Sequence, residues 1–350
     1  MKEFEDSLAR HRRLSVAPMM DWTDRWCRLF HRALSRHTLL YTEMVTAPAL
    51  RHGDPERLLD FDAAEHPVAL QIGGSNPVEL AHAAGLGAQW GYREINLNVG
   101  CPSDRVQSGR FGACLMAEPE LVRDCLIAMR EAVPDGIPVT VKSRIGIDAD
   151  EGYQPLARFV EIVRQSGVMV FIVHARKAIL KGLSPKENRE IPPLHPEFVH
   201  RLKSEHSDLT IVMNGGLGSL DGAMDAVRGL DGAMIGRGLD GAMIGRAAYH
   251  QPYDILARAD REVFADQSLG IPSREAVVQT LLPVAERLAR DGQPMARLGR
   301  HMTGLFHGQP GSSNWKRYLS ENAHQRGRGP DLFIQALAEV MEAQSRAAAA

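Results

Sequence analysis

The sequence is short of cysteine, lacks long apolar runs and carries almost no net charge. Its four cysteines, Cys27, Cys101, Cys114 and Cys125, form no CxxC pair and no repeated spacing. That argues against a zinc site or a disulfide framework and for a reducing compartment. No run approaches the ~20 apolar residues of a membrane span, and the opening "MKEFEDSLARHRR" is charged, without an apolar h-region. A soluble, cytoplasmic chain with no membrane and no metal among its partners is expected. A formal net charge of −2 argues against a surface coated throughout by nucleic acid, but an average hides local patches. One is visible: residues 287–328 hold eight basic side chains (Arg287, Arg290, Arg297, Arg300, Lys316, Arg317, Arg326, Arg328) against two acids, Asp291 and Glu321. Taken alone, it reads as a solvated helical face.

What is present, 350 residues with 44% apolar content, suffices for a full core. Short β-like runs recur: "LSVAPMM" (14–20), "LLYTEMV" (39–45), "PVALQIGG" (67–74), "EINLNVGC" (94–101), "PVTVKSRIG" (138–146), "VMVFIVHAR" (168–176), "LTIVMNGG" (209–216) and "DGAMIGR". Between them lie stretches such as "ELVRDCLIAMREAV" and "ARFVEIVRQSG", with apolar residues spaced by three and four. Eight strand–helix units over about 250 residues fit a (β/α)8 TIM barrel, an α/β fold, better than an open doubly wound sheet. No G-x-G-x-x-G follows the first run. After about Ser273 the strand pattern stops and "REAVVQTLLPVAERLARDG" reads as helix. The expected organisation is an N-terminal extension (1–12), a barrel (13–268), a helical domain holding the basic cluster (269–345) and a disordered tail (346–350).

In a barrel enzyme the chemistry sits at the C-terminal ends of the strands. The runs end in Pro18-Met19, Glu43, Gln71, Asn96-Asn98-Cys101, Lys142-Arg144, His174-Arg176, Asn214-Gly215-Gly216 and a Gly-Arg pair. Each alone has a structural account; seven or eight on one rim point to a ligand. In "EINLNVGCPSDRVQSGRFGACLM" (94–116) a strand breaks at once into Gly100-Cys101-Pro102, which places a thiol poorly for packing and well for touching a ligand. Asn214-Gly215-Gly216 and Gly-Arg offer backbone N–H groups and a charge to an anion, the usual barrel phosphate site. Lys142, Gln71 and His174 suit the polar edge of a planar heterocycle. Together these describe FMN, with any nicotinamide donor binding transiently at the same mouth.

With "SVAPMMDWTDRWCR", "VALQIGGS", "VTVKSRIGID", "HARKAILKGLSPKENREIPPL", "GRAAYHQP" and "WKRYLSENA" added, the chain resembles the tRNA-dihydrouridine synthases, most closely the A subfamily, from about Ser15 to Ala323. The resemblance implies a flavoprotein oxidoreductase that binds FMN in the barrel and tRNA through its helical domain. It implies NADPH as reductant and uridines of the tRNA D-loop, positions 20 and 20a, as substrate. Carried over, Cys101 matches the proton donor. Pro18, Met19, Met20, Gln71, Lys142, His174, Asn214, Gly215 and Gly216 match FMN contacts, and Gly245-Arg246 match the phosphate contact. Asn98, Lys186, Arg189, Ser313 and Lys316 match tRNA-contacting positions. Arginines are expected at Ser313 and Lys316; the lysine keeps the charge, while the serine removes a bidentate donor. A monomer is expected.

Hydride addition at C6 of uracil leaves enolate character at C5 and O4, so C5 needs a proton from an acid on the opposite face. A free cysteine is mostly protonated at neutral pH, so Cys101 reads as an acid rather than a nucleophile. Asn98 is expected to hold the base edge, and the 103–113 loop with Arg105 and Arg110 to close over the site. The stacked D-loop uridine must be splayed out, with the basic helical domain holding the backbone. The rivals are an FMN barrel oxidoreductase acting on a small free enone or pyrimidine, and a noncatalytic RNA-binding protein. Finally, "GLDGAMIGR" occurs at 229–237 and again at 238–246. Only one copy can be the eighth strand. The second runs directly into "AAYHQP", so Arg246 is expected at the phosphate and Arg237 as a spare.

Overall fold

A computed structural model describes residues 8–103, 106–107, 109–228 and 238–349. Eight parallel strands close into a barrel in chain order: β1 (Leu14–Val16), β2 (Leu39–Thr46), β3 (Val68–Gly73), β4 (Glu94–Val99), β5 (Val139–Arg144), β6 (Val170–His174), β7 (Thr210–Asn214) and β8 (Gly241–Ile244). Each falls inside one of the eight β-like runs or extends it by a residue. The closing pair is Leu14–Val16 of β1 against Ala242–Ile244 of β8. Helices Pro77–Gln89, Pro119–Ala132, Gln154–Val163, Pro196–Glu205 and Leu220–Arg228 connect the later strands. Four of them carry a proline in the first turn, where the missing N–H has no helical partner to lose. Asn76 caps the first, its side chain accepting from Val78 and Glu79 N–H.

Outward-facing Leu70, Ile72, Ile95, Leu97 and Val141 form the main core with the helices. Inward-facing Leu39, Tyr41, Ala69, Ile172, Val212 and Met243 form a second cluster inside the barrel, which Leu8 joins. The extension expected over 1–12 thus takes part in barrel packing where it is described.

The second copy of the repeat supplies β8. Asp240 of that copy accepts from Ile211 N–H at 2.7 Å and pairs with Lys203 at 2.8 Å, which fixes its register. The first copy, 229–237 with Arg237, lies between helix Leu220–Arg228 and β8 in sequence and outside the described residues, as does Arg105.

The chain divides into two compact units: 1–20, 39–61 and 66–245, which hold the barrel, and 21–38, 62–65 and 246–350, which are helical. The expected boundary at 268 differs because segments 21–38 and 246–268 tie to each other. Ser35, Arg36 and His37 all donate to the Asp260 carboxylate at 2.7–3.1 Å, and Arg28 pairs with Glu65 at 2.6 Å. Helices Arg274–Arg290, Ala296–Met302, Ser312–Asn322 and Asp331–Ala349 complete this unit. Buried Trp315 donates its indole N–H to Met302 O at 2.8 Å and packs on Phe306. Cys27 and Cys125 are buried and fill packing positions.

Candidate active site at the barrel mouth

The β4 strand delivers Asn98 and then the Cys101 turn. The Asn98 carboxamide oxygen accepts from Gly100 N–H at 3.1 Å and Cys101 N–H at 3.0 Å, an Asx turn that stops the strand and turns the chain. The Cys101 thiol is half-buried and lies 3.5 Å from the Ser103 hydroxyl. Its carbonyl accepts from Ala113 N–H at 2.9 Å, which brings Ala113 back against the Cys101 turn.

Two further side chains brace the same turn. Arg144, at the end of β5, donates to Gly100 O at 2.9 Å and to Lys177 O and Asn188 O of the loop after β6. Gln107 bridges Pro102 O and Leu180 O at 2.7 and 2.8 Å. The carbonyls of Gly100 and Pro102, the residues on either side of Cys101, are therefore linked to the β6 loop through Arg144 and Gln107. Asn188, fully buried, organises that loop by accepting from Ile179 N–H at 2.7 Å and donating to Ile179 O and Leu183 O. Lys186 and Arg189 flank it, both exposed.

Across the mouth, Lys142 Nζ donates to the Asn214 side-chain oxygen at 3.0 Å, and Asn214 Nδ2 donates to Met243 O at 2.8 Å. Burial, with Arg144 nearby, pushes Lys142 down to about 7. Burial and then Arg144, Lys142, Arg176 and Arg189 hold His174 well below the usual imidazole range, so it is neutral at pH 7. Gly215 stands at φ +100° and Gly216 at +74°, a backbone that side chains rarely adopt. A Cβ on Gly215 would also run into the His174 ring. At Gly245 a Cβ would meet only Ala17 and Met19, at 3.7 Å. Pro18 and Met19 are half-buried at the end of β1, and Met20 is 55% exposed. Gln71 is buried with both ends of its amide engaged, donating to Asn96 and accepting from Asn98 at 2.8 Å.

The barrel unit thus places Gln71, Asn98, Cys101, Lys142, His174, Asn214 and Gly215 in the carboxyl-terminal halves of its strands or in the turns that follow them. Arg246 opens helix Arg246–His250, and Ser313 and Lys316 are exposed on helix Ser312–Asn322; all three belong to the helical unit. Arg110 is exposed.

A sequence profile described as dihydrouridine synthase (Dus) matches residues 15–343. The chain belongs to the dihydrouridine synthase family. Proteins named tRNA-dihydrouridine(20/20a) synthase are similar to it along almost all of their length. The one from Vibrio vulnificus is 53% identical over 329 residues, 94% of this chain and 97% of the relative. Those from Shewanella oneidensis and Synechocystis are 52% and 51% identical over 324 residues, 93% of this chain and 92% and 93% of the relatives. Membership in the dihydrouridine synthase family makes the chain an enzyme and sets aside the noncatalytic reading.

Arg144, read from the sequence only as a strand end, and Gln107 and Asn188, assigned no role there, brace the Cys101 turn and the β6 loop. Gln107 and Asn188 sit within conspicuous motifs. Their work lies in bonds to backbone carbonyls, Leu180 O for Gln107 and Ile179 O and Leu183 O for Asn188, a relation no spacing rule displays.

Proposed function

We propose that this enzyme reduces uridine to 5,6-dihydrouridine in tRNA, at positions 20 and 20a of the D-loop. FMN would be held at the barrel mouth, NADPH would be the reductant, and Cys101 would give the proton to C5. The relatives' shared name supports the tRNA substrate and its positions. The observation that carries the chemical reading is the Cys101 turn: a half-buried thiol held at a strand end by Asn98 and braced by Arg144, which donates to Gly100 O at 2.9 Å.

The mouth fits FMN. The Gly215-Gly216 turn, with its positive φ angles, and Gly245, where a Cβ would make only ordinary contacts, would present main-chain N–H groups to a phosphate, with Arg246 next in sequence to add charge. Lys142 is a donor for the electron-rich edge of a flavin ring, neutral His174 offers one N–H, and Pro18, Met19 and Met20 offer apolar surface beside it. When bound, FMN supplies hydride chemistry, and NADPH renews it. Cys101 holds a proton on Sγ and releases it to C5 of the base. Asn98 uses one of its two amide hydrogens on Gln71 and has the other for a pyrimidine carbonyl. Lys186 and Arg189, exposed on the β6 loop, suit tRNA phosphates, as do the exposed basic residues of the helical unit. A cytoplasmic location accords with the tRNA substrate.

The test is mass mapping of unmodified tRNA after incubation with the protein, FMN and NADPH. Two added hydrogens at positions 20 and 20a are expected. Reduction of free uridine or orotate with no change in tRNA would favour the small-molecule flavin barrel enzyme instead.

A further inference from the structure

A continuous chain of buried polar side chains crosses the barrel interior and ends at Cys101. It starts with the ion pair between Arg12 and Glu94, 2.8 Å. The Thr140 hydroxyl donates to Glu94 Oε1 at 2.7 Å and accepts from Asn96 Nδ2 at 2.8 Å. The Asn96 oxygen accepts from Gln71 Nε2, and the Gln71 oxygen accepts from Asn98 Nδ2, both at 2.8 Å. The Asn98 oxygen then faces the N–H groups of Gly100 and Cys101. Glu94, Asn96 and Thr140 are completely buried, and Gln71 is 1% exposed.

The direction of every bond in this chain is forced from both ends. A carboxylate only accepts, so the single Thr140 hydrogen goes to Glu94, and Thr140 can offer Asn96 only an acceptor. That turns the Asn96 oxygen toward Gln71, the Gln71 oxygen toward Asn98, and the Asn98 oxygen toward the Cys101 turn. At the far end the two backbone N–H groups only donate, and they require the same order. Three carboxamides that could each be flipped are locked in one polarity, because one reversed member leaves two donors or two acceptors facing each other in a dry interior.

We propose that Glu94, Asn96 and Thr140 are positioning residues for Cys101. They touch neither substrate nor cofactor; they set which way the Asn98 amide faces and so where the Cys101 turn places its thiol. Tyr41 provides the internal comparison, since its hydroxyl donates to the same Glu94 oxygen at 2.5 Å without being a link in the chain. The inference rests on the reading of Cys101 as proton donor.

The experiment compares Thr140→Val, Thr140→Ser, Tyr41→Phe and Cys101→Ala in the full chain. It uses two readouts: alkylation of Cys101 by iodoacetamide in protein without added FMN, and single-turnover dihydrouridine formation in tRNA by the FMN-loaded enzyme. Thr140→Val, nearly isosteric but without the hydroxyl, is expected to slow turnover about tenfold and to raise alkylation severalfold. tRNA KM and NADPH-driven flavin reduction should stay within about twofold. Thr140→Ser should restore wild-type behaviour, and Tyr41→Phe should lower the melting temperature while leaving both readouts unchanged. Thr140→Ala, read in the same way, serves if the valine variant does not fold. A Thr140→Val enzyme with normal turnover and alkylation beside an inactive Cys101→Ala would overturn the proposal, and so would equal losses in Tyr41→Phe. A fully active Cys101→Ala would instead remove the proton-donor reading itself.

Discussion

Lys142 and Asn214 reach toward each other from β5 and β7, strands separated by β6, and meet at 3.0 Å in the barrel mouth. The bond joins the cationic side of the site to the strand end that begins the glycine turn. It offers Lys142 a neutral acceptor rather than a counter-charge, and burial, with Arg144 beside it, lowers its pKa from 10.5 to about 7.

That shift has a thermodynamic sign. Between about pH 7 and 10.5 the unfolded chain holds the Lys142 proton while the folded chain has released it, so the contribution of Lys142 to stability rises with pH across this window. Below it both states are protonated and the burial penalty is fully present. Replacing Lys142 with Met removes the penalty, so the variant's melting temperature is expected to exceed wild type most near pH 7, with the gap narrowing toward pH 10. A constant gap measured by calorimetry at several pH values would show that Lys142 is charged in the fold throughout.

Two glycines separate strain from ligand approach. Gly215→Ala is expected to lower both melting temperature and flavin content, because its φ of +100° and the His174 ring leave no place for a methyl group. Gly245→Ala meets only ordinary contacts and should change stability by no more than about 0.5 kcal/mol. It should still weaken FMN binding in a flavin titration, because the methyl group occupies the space assigned to the phosphate. Unchanged FMN affinity in Gly245→Ala would place the phosphate elsewhere.

The barrel was legible because each strand run is bounded by glycine, proline or a polar cluster and its length suits a buried parallel strand; the register of β8 followed from the cost of displacing "AAYHQP". The membership of the helical unit was not. Segment 21–38 follows the first strand directly, and the bonds that group it with 246–268 converge on Asp260, more than two hundred residues away. That Gln71 and Asn98 lie toward the carboxyl ends of their strands was legible. That their amides point at each other was not, because the orientation depends on Glu94 and Thr140 deep in the barrel.

The repeat yields a direct comparison. With the second copy forming β8, removing 229–237 should leave FMN affinity and dihydrouridine formation intact, and the shortened protein should be the more soluble. Arg246→Ala should weaken FMN binding and Arg237→Ala should not. The opposite pattern in a flavin titration would mean that the first copy supplies the phosphate contact.

In the helical unit the basic cluster is not uniform. Arg300 pairs with Asp24 at 2.5 Å and Arg287 with Asp62 at 2.8 Å, so their charges are partly committed to the fold. Arg297, Lys316 and Arg326 are exposed. Reversing these three to Glu is expected to weaken tRNA binding and flatten its salt dependence, since each phosphate contact releases counterions, while NADPH-driven flavin reduction is unchanged. Unaltered tRNA affinity across a salt series would leave the cluster a solvated face.

The central claim is that Cys101 protonates C5, and it is tested most directly by following the two half-reactions separately in Cys101→Ala. Reduction of bound FMN by NADPH should proceed at the wild-type rate. Oxidation of the reduced enzyme by unmodified tRNA, with dihydrouridine counted by mass spectrometry, should fall by about a hundredfold or more. A Cys101→Ala enzyme that forms dihydrouridine in tRNA at the wild-type rate would contradict the account.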